Sequence, residues 1–106
     1  MSRGDAREHF KARVLAWADK LGVKAHAVYI RPMRRKWASC STTGTLSFNA
    51  DLVGMDAALG DYVIVHELLH FSVPNHGKLW KSLMRAHLGD YEALETRLAC
   101  ATGGDG

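Results

Sequence analysis

The 106-residue sequence predicts an α+β domain: an N-terminal helix, a small, mostly antiparallel sheet of about three strands, a long apolar helix and two further helices. Three observations carry this reading. Apolar residues recur at helical spacing near the start. Segments rich in β-formers, punctuated by Pro and Gly, occupy the 25–49 region. From Tyr62 onward the apolar spacing is helical again.

The chain length suits one domain, here residues 1–102, followed by a flexible Gly-rich tail at 103–106. The 47% hydrophobic and 24% charged fractions are ordinary for a globular protein with one core. No apolar run approaches the roughly 18 residues of a membrane span. The opening residues lack the apolar segment of a secretory signal, so a cytoplasmic protein without membrane partners is expected. Cys40 and Cys100 form no CxxC pair and read as free thiols in a reducing compartment. A net charge of +3 is compatible with an acidic or nucleic-acid partner and too small to demand one. A monomer is the expected state.

The elements follow in order. Phe10, Val14, Trp17 and Leu21 mark a helix over 5–21, with Asp5 and Glu8 as a capping box and Gly22 as the stop. Residues 25–30 (AHAVYI) read as a strand that Pro32 closes. Residues 36–41 and 45–49 form a hairpin around Thr42-Thr43-Gly44. The 50–59 stretch is a short helix or irregular link. Tyr62 to Phe71 is too long and too Leu-rich for a strand despite its Tyr-Val-Ile-Val start, and Asp61 can cap it as a helix. Pro74 ends that helix. A further helix begins near Asn75, with Leu79, Trp80, Leu83, Met84 and His87 on one side. Gly89 breaks it, and Asp90 caps a last helix whose Tyr91, Leu94 and Leu98 share a face.

The apolar helix holds the chemistry, in the run His66-Glu67-Leu68-Leu69-His70. At about 100° per residue His70 falls some 40° from His66, so both imidazoles leave one side of the helix a turn apart. Ile64, Leu68 and Phe71 then face the core. A helix apolar on all sides is normally buried, which puts the histidines at the floor of a cleft. Two imidazoles at this spacing supply two zinc ligands, and a catalytic zinc needs a third protein ligand plus a place for water. His76 is the candidate, reached after a helix stop that lets the chain turn back. The spacing HExxHxxxxxH equals that of the metzincin motif, with Val73 and Pro74 where that motif has its turn glycine. Glu67, beside a ligand in sequence, can reach the zinc-bound water and act as general base for amide hydrolysis.

HExxH alone would arise in roughly one shuffled sequence in a hundred of this composition, so the context decides. The third histidine, the apolar helix and the turn signal all agree with one zinc per chain. The alternatives are histidines that merely pack, or a structural zinc in a protein-binding or nucleic-acid-associated module, with Cys40 filling the fourth position.

The residues Trp37-Ala38-Ser39-Cys40, Leu46-Ser47-Phe48-Asn49, Leu52, Asp61-Tyr62-Val63, the HExxH run, Asn75-His76 and Leu79-Trp80 together resemble the YgjP-like metallopeptidase family, a branch of the zincins related to the SprT-like proteases. The family's usual Trp-Gly-Ser-Cys has Ala38 here, and its frequent Phe-Trp is Leu79-Trp80. The resemblance implies a zincin-like minimal domain with His66, His70 and His76 as zinc ligands and Glu67 as the catalytic residue. It also implies a small sheet packed against the metal-binding helix, a peptide or protein substrate, and an edge strand from the 37–49 hairpin that holds the peptide by strand addition.

Outside the motif, Arg31, Arg34, Arg35 and Lys36 cluster beside Trp37. This suggests either nucleic-acid contact, as in SprT-like relatives that act on DNA-bound proteins, or a strand edge guarded by charge. Cys40 reads as a small buried residue or as a redox or inhibitory ligand. Trp17, Trp80, Leu83 and Met84 read as core, and His9, His26 and His87 as surface or packing residues.

Overall fold

The structure is a computed structural model that describes residues 3–34, 36–41, 43–73 and 77–101. The elements run α1 (Arg3–Leu21), β1 (Ala27–Arg31), β2 (Ala38–Cys40), β3 (Thr45–Asn49), a 3-10 turn (Ala50–Gly54), α2 (Ala57–Ser72), α3 (Lys78–Leu88) and α4 (Tyr91–Ala101). The architecture is α+β, as expected, and α2 is its axis: α1, α3, α4 and β2 all pack on it.

Helix α1 buries Phe10, Val14 and Ala18 on one stripe, with Trp17 and Leu21 at its margins. It starts by Arg3, so Asp5 lies inside the helix and not at its cap. It ends as expected at Gly22, whose φ of 72° suits a residue without Cβ. Gly22 N–H donates to Asp19 O and Val23 N–H to Ala18 O, the paired bonds of a Schellman stop.

The sheet has three strands in the order β1-β3-β2. β2 and β3 form the expected antiparallel hairpin, closed by Gly44 N–H donating to Ser41 O. β1 pairs parallel with β3, so the sheet is mixed: β2 runs back along the far side of β3 and leaves β3 central. β3 takes the middle because its side chains suit burial on both faces: Leu46, Ser47, Phe48 and Asn49 are all buried. Phe48 meets Phe10 of α1 edge to face, with ring centroids 5.6 Å apart.

Helix α2 begins five residues before the Tyr62 start read from the sequence. Its cap is Asp56, which accepts from Ala58 N–H at 3.1 Å, and not Asp61. Asp61 lies one turn inside and accepts from Arg13 Nη2 at 2.6 Å and Trp17 Nε1 at 3.1 Å, which ties α2 to α1. Gly60 permits that approach: a Cβ there would lie 3.1 Å from Arg13 Nη2 and 3.2 Å from Phe10 Cε2. Tyr62, Val63, Ile64, Val65, Leu68 and Leu69 are buried on several sides of the helix, as an all-apolar helix requires. Leu68 and Ile64 are completely enclosed.

In α3, Trp80 and Met84 face the core and Leu83 and His87 are half-buried. Leu79, expected on the same side, is 61% exposed: it sits about 100° round the helix from Trp80, beyond the rim of the contact. Asp90 caps α4 by accepting from Ala93 N–H, and Tyr91 and Leu98 pack inward. No helix among the described residues is long and apolar enough to cross a membrane. His76, the preceding Pro74-Asn75 and the tail at 102–106 lie outside the described residues.

Candidate metal centre

α2 places His66, Glu67 and His70 together. Their ligand-type atoms all lie within 4.8 Å of one another, and all three side chains are half-buried. This follows from helix geometry: residues four apart stand one above the other, and the intervening Leu68 and Leu69 point into the core. The two imidazole rings are 4.9 Å apart at 74°.

The His66 ring is enclosed by aromatic neighbours. Tyr62, one turn earlier, is 5.7 Å away and Trp80 of α3 is 5.2 Å away at 84°. Trp80 in turn packs edge-on against Tyr91 of α4 at 5.9 Å. These contacts restrict the imidazole to few orientations, which is what a metal ligand needs from its surroundings.

His66 and Glu67 open into a cleft of about 340 Å³. One wall is Lys36, Trp37 and Ala38 from the hairpin, and the other is Glu95, Leu98 and Ala99 from α4. The Tyr62 hydroxyl donates to Glu95 Oε2 at 2.9 Å across the cleft. Burial and that carboxylate push the Tyr62 phenol well above its usual range. No sequence signal marked Glu95, because its role depends on a pairing between residues 33 apart.

Cys40 reaches the same site from β2. The residue is exposed and forms no disulfide, which corrects the expectation of a small buried residue. Partial burial, the nearby charge of Glu67 and a hydrogen bond to that carboxylate raise the thiol's pKa, in that order of size. The side chain of Cys100 lies outside what is described.

The donor chemistry fits a zinc-type ion: two imidazole nitrogen donors on one helical face, a carboxylate beside them and an open cleft in front. The structure thus joins three of the four residues singled out from the sequence, with the third histidine outside the described residues.

Residues 1–101 match the family model described as YgjP-like, metallopeptidase domain. The chain belongs to the YgjP-like metallopeptidase family. It is accordingly a hydrolase, a zinc peptidase of the HExxH class. An uncharacterized protein of Methanocaldococcus jannaschii is 37% identical over 75 residues, covering 67% of this chain and 68% of that protein. The crystal structure of the metallopeptidase zymogen of Methanocaldococcus jannaschii jannalysin aligns with TM-score 0.77 and 29% identity over 87% of this chain and 95% of that one. The crystal structure of the metallopeptidase zymogen of Pyrococcus abyssi abylysin aligns with TM-score 0.65 and 20% identity, covering 94% of each, and shares the fold. This YgjP-like chain has the same four-helix, three-strand framework around its HExxH helix.

Proposed function

We propose that residues 1–102 form one catalytic unit that cleaves internal peptide bonds with a single zinc ion held by His66, His70 and His76. The observation that supports this most directly is the convergence of His66, Glu67 and His70, the first two of which line a cleft walled by an edge strand. When bound, the ion polarises the scissile carbonyl and brings the pKa of an attacking water to about 7.

The chain's own groups do the rest. Glu67, adjacent to a ligand but free of the need to bind metal, accepts the proton of the attacking water and returns it to the leaving amine. The Tyr62 and Trp80 rings hold His66 in place. β2 presents the substrate. Its pairs with β3 alternate, with Trp37, Ser39 and Ser41 directed to β3, so Ala38 and Cys40 turn their N–H and C=O groups to the open side. A peptide adding to that edge would run alongside Glu67.

The test is Glu67→Gln. The variant should keep its zinc and its fold while peptide cleavage falls by about 10²–10⁴. Equal cleavage by the variant would remove Glu67 from the mechanism.

A further inference from the structure

Beside the cleft lies a second depression of about 500 Å³, lined by Arg31, Pro32, Met33, Arg34 and Lys36. We propose that it is a substrate subsite that selects an acidic side chain, Glu or Asp, on the peptide, an inference that rests on the peptidase reading above. Three cations line it and no acid does. Among the described residues none of the three forms an ion pair with a carboxylate. The ion pairs found there use Lys11, Arg13, Arg85 and Arg97 instead. Pro32 and Met33 supply an apolar wall for the methylene groups of an acidic residue.

The described backbone on either side of position 35 is anchored. Asn49, itself only 5% exposed, donates through Nδ2 to Met33 O at 2.9 Å and Lys36 O at 3.2 Å. Asn49 N–H donates to Trp37 O at 2.8 Å, and Arg7 Nη1 donates to Ile30 O where β1 runs into the loop. With the backbone held at Ile30, Met33, Lys36 and Trp37, it is the cationic side chains that remain to be ordered on binding.

Lys36 decides what the depression is for, because it lines both this depression and the His66–Glu67 cleft. A peptide paired with the open edge of β2 and passing Glu67 at Cys40 continues past Ala38 toward Lys36. At about 3.3 Å per residue, its side chains reach the cations roughly two to four residues from the scissile bond. A nucleic acid would favour a longer cationic stripe with exposed stacking rings. Trp37 is instead half-buried in the wall of the catalytic cleft.

The experiment uses internally quenched decapeptides in which one Glu is moved through each position, with Gln and Lys counterparts. Cleavage by the zinc-loaded protein is read as kcat/KM. Binding of labelled versions to zinc-loaded Glu67→Gln protein is read by fluorescence anisotropy. At one position Glu should be preferred over Gln by about tenfold and Lys should be worst, as for a charge-assisted contact. That preference should shrink with added salt. In the Arg31→Gln/Arg34→Gln variant, with its fold checked by circular dichroism, the Glu-to-Gln ratio should fall toward one in both readouts. Cleavage with no acidic preference at any position overturns the subsite and leaves the peptidase standing. Arg-dependent preferential binding of the Glu peptide without cleavage supports the subsite and overturns the peptidase. Tighter binding of a labelled single-stranded oligonucleotide than of any Glu peptide, lost in the same variant, assigns the loop to nucleic acid and overturns the proposal.

Discussion

Cys40 on the edge strand and Glu67 on the long helix share a hydrogen bond, although they are far apart in the chain. The carboxylate's charge disfavours the thiolate beside it, so the Cys40 pKa is raised. Removing that charge lowers it. In metal-free protein with Cys100→Ser as background, Glu67→Gln should therefore speed alkylation of Cys40 by iodoacetamide near about pH 8, where thiolate is limiting. An unchanged rate would show that the thiol and the carboxylate do not face each other.

The helical register around the site is testable by stability. Leu68 is fully buried between the two histidines in sequence, and Leu79 stands mostly in solvent. Leu68→Ala should cost about 2–5 kcal/mol in urea unfolding. Leu79→Ala should stay within about 0.5 kcal/mol of the parent. Equal losses would contradict the placement of α3.

Arg13 and Asp61 join α1 to α2 through a 2.6 Å contact, in which Trp17 Nε1 shares the same carboxylate oxygen. A double-mutant cycle of Arg13→Ala and Asp61→Ala should give a coupling energy of about 1 kcal/mol. A methyl group at Gly60 would press on Arg13 and on buried Phe10, which opposes the roughly 1 kcal/mol that alanine gains over glycine inside a helix. Strict additivity in the cycle would mean that the contact contributes nothing to stability.

Asp56 links α2 to α4. Its carboxyl pKa is held below the usual range first by the hydrogen bond from Arg97, at 2.9 Å, and then by the Ala58 N–H. A depressed folded pKa means that this contribution is complete above the unfolded carboxyl's range and is lost as pH falls through the lower folded value. Asp56→Asn has no such proton to take up. Between about pH 6 and pH 3 the variant should lose less stability than the parent, measured by urea midpoints. Identical losses would show that Asp56 does not contribute to acid sensitivity.

Much of this site was legible in the sequence because helical periodicity is a local property. The spacing of His66 and His70 and the apolar residues around them defined one face of a buried helix, and the structure has that face. What was not legible depends on distant partners. The start of α2 was hidden by Tyr-Val-Ile-Val and by Gly60, whose place in the helix follows from Arg13 and Phe10 packing over it. The parallel pairing of β1 with β3 needs the whole sheet, as does the outward position of Cys40. The meeting of Tyr62 with Glu95 belongs to the packing of α4 on α2 and leaves no local signature.

The zinc content of the purified protein tests the central assignment most directly, measured by elemental analysis for the parent and the Glu67→Gln, His66→Ala, His70→Ala and His76→Ala variants. The assignment expects about one zinc per chain in the parent and in Glu67→Gln, and a sharp fall in each of the three histidine variants. A parent without zinc would contradict it. So would a Glu67→Gln variant that loses the metal as fully as His66→Ala, or a His76→Ala variant that keeps all of it.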